Sequence, residues 1–537
     1  MTTYTSIRNL FLVIAAGGLI ACSSSSDTPA TTTVSGTVFA APVNGASVSV
    51  TDGSGNPVAG PVITTSAGAF SIAIPNTALA SELVFESTGG TFTDEASGAT
   101  GVHAGDMAAI AAAGTLGAGS AVHATPDTTI IHHMVMQHSM TITDAQNVFA
   151  SAFGYTPDVS VEPTDATSPG TGTDDAQKLA GLRAATFSQL ALDLGFSPAQ
   201  QFELCAAIAQ DLSDGVLDGV ADTGAVSVNG VALPADIRNR FVTAMMNFRA
   251  GNDHSGLSSV QLGNLPFSTV ALTDSYSLEY VAPTGMMNAM EGKSRFQIRI
   301  TSRADNTPAT GLDVSLMPMM YMATHEHSTP FEAVTDDDND GTYDVTIYYL
   351  MPTSMMDGTS MGIWDLTVMI GGEVAHFYPD VMMAMGDSPR AVLKGQMVDD
   401  MIPNMSGLEE ARSYYMFNEG VSATPGGHSF GLFLAARESM MNYPVVDVGA
   451  TLNSGTAYEL TVASISIEVS TDGSNWTAAV NDGGGHFSAS GLSGMSSGVQ
   501  APLYARLSIN GEQKTTDGNP PAGDGSNDIA TFTVTPG

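Results

Sequence analysis

The sequence predicts a multidomain, mainly β protein, built from antiparallel β-sandwich modules with an inserted α-helical domain. Three observations predict this class. Short runs such as Phe296-Gln-Ile-Arg-Ile300 alternate apolar and polar residues, the period of a strand with one face buried. Gly, Asp, Asn and Pro punctuate these runs as turn signals. One span, residues 100–255, changes to apolar spacing of three and four, the period of a helix with one buried stripe.

Residues 1–21 read as a targeting segment. Arg8 supplies positive charge, and Leu10 to Ile20 form an apolar run too short to span a bilayer. The run ends in Leu19-Ile20-Ala21-Cys22, which resembles a bacterial lipobox. That resemblance implies cleavage before Cys22, lipidation of Cys22, and anchoring in a membrane. Ser23 follows the cysteine instead of Asp, which by the usual sorting pattern implies the cell outer membrane. Residues 22–33, rich in Ser and Thr, read as a flexible tether. Cys22 and Cys205 are the two cysteines. With Cys22 committed to lipid, no disulfide can form within the mature chain. Cys205 lies in the apolar pattern Phe202-Glu-Leu-Cys-Ala-Ala-Ile208 and is expected to be buried and inert.

Residues 34–90 read as a small β-sandwich with strands near Val34, Ala46 and Ala69. The pattern Gly36-x-Val38, Gly45-Ala-x-Val48 and Gly68-Ala-Phe70 resembles carboxypeptidase-regulatory-like domains, which are non-catalytic. In residues 100–255, Leu179, Leu182, Leu190 and Leu194 form one helical stripe. Ile237, Phe241, Met245 and Phe248, opened by Pro234, form another. Residues 265–390 return to strand periodicity at Phe296, Tyr343 and Trp364. Residues 391–537 continue it at Ile465, Tyr504 and Thr531 as a C-terminal β-sandwich.

Sixteen Lys and Arg against 54 Asp and Glu leave a net charge of −38. A field of that sign repels nucleic acid and anionic lipid and attracts metal cations. No nucleic-acid partner is expected; a protein partner at the cell envelope is compatible with the acidic surface. Enzyme signatures are weak. Gly358-Thr-Ser-Met-Gly362 and Gly494-Met-Ser-Ser-Gly498 have the spacing of a nucleophile elbow but lack its strand-then-helix setting, and the chain is read as a non-enzyme.

Methionine gives the sharpest chemical signal. The chain holds 29, and the segment Leu316-Met-Pro-Met-Met-Tyr-Met-Ala-Thr-His-Glu-His327 is the densest. Thioethers suit Cu(I), and imidazole suits Cu(I) or Cu(II). The candidate copper ligands are Met317, Met319, Met320, Met322, His325 and His327, with His376 from a later strand. Met317-Pro-Met319, His325-Glu-His327, Gly341-Thr-Tyr343 and Gly362-Ile-Trp364 together resemble the YtkA-like and FixH-like exported domains. The resemblance implies an immunoglobulin-like fold and a role in copper handling. In this chain Tyr321 to Thr324 intervene between Met320 and His325, a departure from the family's compact segment. The competing reading is a structural or interaction lipoprotein whose methionines fill a core.

Two further clusters stand out. Asp336, Asp338, Asp340 and Asp344 occupy positions 1, 3, 5 and 9 of a calcium-loop pattern, with Ile347 where the bidentate Glu would stand. His132 with Met136, and Met134 with His138, are four residues apart on an expected helix.

Overall fold

The computed structural model describes residues 30–263, 265–282, 289–396 and 400–537. Residues 1–21, Cys22 and most of the expected tether lie outside the described residues. Strands hold 39% of the chain and helices 16%, so the protein is mainly β, with antiparallel pairing in nearly every sheet.

The first strand, Thr31–Thr37, pairs antiparallel with Ala69–Pro75. It begins within the expected tether, because three β-branched threonines extend the ladder that Val34 anchors. A second sheet runs in the order Pro57–Ile63, Ser47–Asp52, Leu83–Thr88, Met107–Ala111. Its last strand falls in the span expected to be helical. Met-Ala-Ala-Ile-Ala is buried at every position, and such a short, uniformly apolar run carries no period. Val34, Val48, Val50, Phe70, Ile72 and Phe85 fill the core of this region.

Among the described residues, all five α-helices fall between Pro126 and Gly251: α1 Pro126–His138, α2 Ile142–Phe153, α3 Asp175–Asp193, α4 Gln201–Asp211 and α5 Ile237–Gly251. Their starts are chemically marked. Thr125 caps α1 ahead of Pro126, and Asp174 caps α3 through a reciprocal bond with Gln177. Phe153, Phe187 and Phe241 pack ring to ring in the helical core, with centroids 4.7–5.7 Å apart. Cys205 sits in that core, where burial pushes its thiol pKa far up. No helix among the described residues is long and apolar enough to cross a membrane.

Two four-stranded antiparallel sheets follow. One runs Val270–Leu272, Tyr276–Val281, Gly292–Ser302, Thr342–Tyr349; the other runs Glu326–His327, Val314–Tyr321, Ile363–Ile370, Glu373–Phe377. Their facing side chains share one apolar core containing Phe296, Ile298, Met320, Tyr349, Trp364 and Phe377. The outer face of the second sheet meets the helices: Ile363 and Tyr378 belong to the helical core, and Tyr378 Oη lies 3.1 Å from Thr243 Oγ1 of α5. Beyond residue 390 the chain builds two five-stranded sheets around a further core, and Tyr348 stacks on Phe433 at 4.0 Å to join the two regions.

Candidate metal centre

Strand alternation decides which candidate ligands meet. Along Val314–Tyr321, Leu316, Pro318 and Met320 point into the shared core, while Met317 and Met319 point to the other face. Met320 stands opposite His327 on one neighbouring strand and opposite Trp364 on the other. The chain turns through Ala323 and Thr324, and Met322 N–H donates to His325 O at 3.0 Å. Met322 therefore faces His325 across the turn. This hairpin presents Met320, Met322, His325 and His327 on one face. The two imidazole rings lie 6.4 Å apart, and His327 meets the Trp364 indole edge-on at 5.5 Å.

His327 is 3% exposed. Its Nδ1 lies 2.7 Å from Ser328 O, a carbonyl that can only accept. Nδ1 therefore carries the hydrogen, and Nε2 is left with a lone pair. That Nε2 is buried without a hydrogen-bond partner. Burial chiefly holds the imidazole pKa below its ordinary value; His325 and Arg390 push the same way, against the Ser328 bond. The ring is thus kept neutral, the form that ligates metal.

Other methionines reach the same end of the sheets. Trp364 Nε1 donates to Met351 O at 3.0 Å. Met361 N–H bonds to Thr353 O, and Thr353 N–H to Val381 O, both at 2.8 Å. Met351 and Met361 pack against the core beside Met322, whereas Met355, Met356, Met382 and Met385 are exposed.

Met317, Met319 and His376 occupy the opposite face. Met317 shares a row with Thr367 and His376, and Met319 stands opposite Asp365. His376 Nδ1 lies 2.9 and 3.1 Å from the two Asp365 oxygens, and its ring stacks over Tyr378. The backbone of the sheet separates these three from Met320 and His327. The seven candidates therefore divide into an inner four and an outer three, and one ion cannot be held by both.

The acidic loop gathers only in part. Asp336, Asp338 and Asp340 each bring an oxygen within 4.8 Å of the others. Asp344 instead lies in a strand, accepting from Gln297 Nε2 at 3.0 Å. On α1, Met134 is wholly buried while Met136 is exposed, so His132 and Met136 do not share an environment. His132 is buried with neither ring nitrogen hydrogen-bonded, its Nε2 lying 3.7 Å from Glu86 Oε1, and burial lowers its pKa to about 4. Gly358–Gly362 leads into a strand, with no helix after it.

Sequence reading missed one cluster that only folding assembles. Glu332, Glu419 and His486 bring ligand atoms within 4.8 Å of one another where the central and C-terminal regions meet. Tyr348 Oη lies 2.6 Å from Glu332 and 3.0 Å from Glu419, and Lys293 pairs with Glu419. Lys293 already supplies positive charge there, so the cluster reads as an ionic joint between the two regions. No local spacing signals it, because its members are up to 154 positions apart (332 to 486).

Compared with known proteins, the chain matches no family model and no curated protein. The motifs quoted above are all that carry the family resemblances.

Proposed function

We propose that this chain is an exported lipoprotein, anchored through Cys22 at the cell outer membrane, that binds copper on the inner face of the Met/His hairpin. One observation carries the reading: the buried His327 Nε2 has no partner, and its hydrogen is fixed on Nδ1, across the strand pair from Met320. Two thioethers and one or two imidazoles make a soft donor set suited to Cu(I). Such a set suits reversible carriage or sequestration. In this reading the two central sheets form an immunoglobulin-like sandwich, the helices form an inserted domain, and residues 34–90 begin a regulatory-like module.

The rival reading is a structural or interaction lipoprotein of the cell surface. It is favoured by Met320, which is wholly buried in the apolar core like any filler side chain. The test is competition for Cu(I) between the soluble chain from Ser23 onward and a chromogenic chelator. Stoichiometric capture that His327→Ala abolishes supports copper binding. Capture unchanged by His327→Ala and Met322→Ala together removes it and leaves the rival.

A calcium ion at Asp336, Asp338 and Asp340 is a separate proposal, resting on the convergence of those three carboxylates.

A further inference from the structure

The C-terminal region buries a set of charges that the copper reading does not use. Asp400 and Arg412 are 2% and 1% exposed, and Lys514 is 1% exposed. Lys514 Nζ lies 2.7 Å from Asp400 Oδ2 and 2.7 Å from Glu512 Oε1. Arg412 Nε donates to Asp400 Oδ1 at 2.7 Å, and Tyr414 Oη donates to Oδ2 at 2.6 Å. The Lys514 ammonium also lies over the Tyr414 ring, 5.0 Å from its centroid. Ion pairs this deep are costly, because each charge gives up its hydration. An amine and a carboxyl held in contact, away from water, have a second way to remove that cost.

We propose that Lys514 and Asp400 condense into an intramolecular amide. The Nζ lone pair forms the bond to Asp400 Cγ, and the Cγ–Oδ2 bond breaks. The ammonium gives up two protons, and both end on Oδ2, which leaves as water. Glu512 carries the protons, being the second carboxylate that accepts a hydrogen bond from Nζ and the one that does not itself react. Arg412 holds Oδ1, where negative charge collects as the carbon becomes tetrahedral. Tyr414 holds the departing oxygen. No oxidant, reductant or cofactor is needed. The product keeps one positive and one negative charge, on Arg412 and Glu512, in place of two of each. It ties residue 400 to residue 514, 114 positions apart, across the C-terminal core.

The bond is read directly by tryptic mapping of the full chain purified from its host. If it forms, residues 395–412 and 507–537 appear as one species, lighter than the summed peptides by one water. Separate peptides 395–412, 507–514 and 515–537 from the folded chain overturn the proposal and leave a buried ion pair. Glu512→Gln is expected to abolish the joined species while near-UV circular dichroism stays native. A folded E512Q chain that is joined as completely as the parent removes Glu512 from the reaction. If E512Q does not fold, the parent map alone decides whether the bond exists.

Discussion

The two faces of the Val314–Tyr321 strand carry nearly the same residues and offer different chemistry. On the inner face, His327 is tied to a neutral carbonyl, buried, and left with an unpartnered Nε2. On the outer face, His376 is tied to the Asp365 carboxylate, partly open to solvent and stacked on Tyr378. Met320 is sealed in the core, while Met317 is 47% exposed. A ligand set is therefore defined by which face the pleat assigns and by what each imidazole's other nitrogen already holds. Residue type alone does not define it.

The largest expected contrast is in stability. Met320→Ala removes a fully buried side chain and leaves a cavity, a change that costs about 2–5 kcal/mol. Met317→Ala acts on a half-exposed position and should stay within about 0.5 kcal/mol. Urea unfolding of both variants checks this. Equal losses would mean that the outer methionine is packed as tightly as the inner one.

Copper affinity should divide the same way. His327→Ala is expected to weaken Cu(I) binding by at least about 100-fold, more than losing a ligand's orienting partner usually costs. The pair Met317→Ala and Met319→Ala should change it by less than about threefold, roughly 0.6 kcal/mol. Competition titrations with matched folded controls read both. An outer pair that matters more than His327 would move the site to the face with His376.

Much of this arrangement could be read in the sequence, and the failures have physical causes. The leucine stripe of α3 was legible, since the helical period is local, while its Asp174 cap is seen only in the structure. The pairing of Met320 with Met322 and of His325 with His327 followed from the two-residue period. Grouping Met317 and Met319 with them ignored the same period, which sends alternate side chains to opposite faces. His376 was placed by chain order, and only the register with Thr367 shows its face. The Met107–Ala111 strand was missed because an unbroken apolar run fits a buried strand and a buried helix equally well. The Asp400–Lys514 contact spans 114 positions and has no sequence signal.

A smaller effect separates the faces by pH. Burial lowers the His327 pKa, so its neutral form is favoured in the folded chain. Its contribution is present above the ordinary imidazole pKa, near 6.5, and is lost only as pH falls through the lower folded value. Cu(I) affinity should therefore change by less than about tenfold between pH 7.5 and 6, about 1.4 kcal/mol at most. A steeper loss that begins near pH 6.5 would point to a solvent-exposed imidazole as the ligand. His123 and His132, lowered by burial to about 4, follow the same sign and should destabilise the N-terminal half on acidification.

The smallest effect tests the comparison end to end. The Met/His hairpin sits where Val314–Tyr321 ends, while the acidic loop sits near its start, where Tyr343 Oη bonds Ala309 O and Leu312 N, each at 2.9 Å. Soft donors thus cluster at one end of the strand and hard oxygens at the other. Calcium prefers oxygen, and copper prefers sulfur and imidazole. Three carboxylates without Asp344 or a bidentate Glu make an incomplete shell, so weak binding is expected. At calcium tenfold above its Kd the stabilisation is about 1.4 kcal/mol, which raises Tm by a few degrees. Asp338→Asn should remove that increment and leave Cu(I) affinity untouched, because the two sites share no ligand. If calcium leaves Tm unchanged in the parent chain, the loop is a solvated turn and the strand carries metal chemistry at its hairpin end alone.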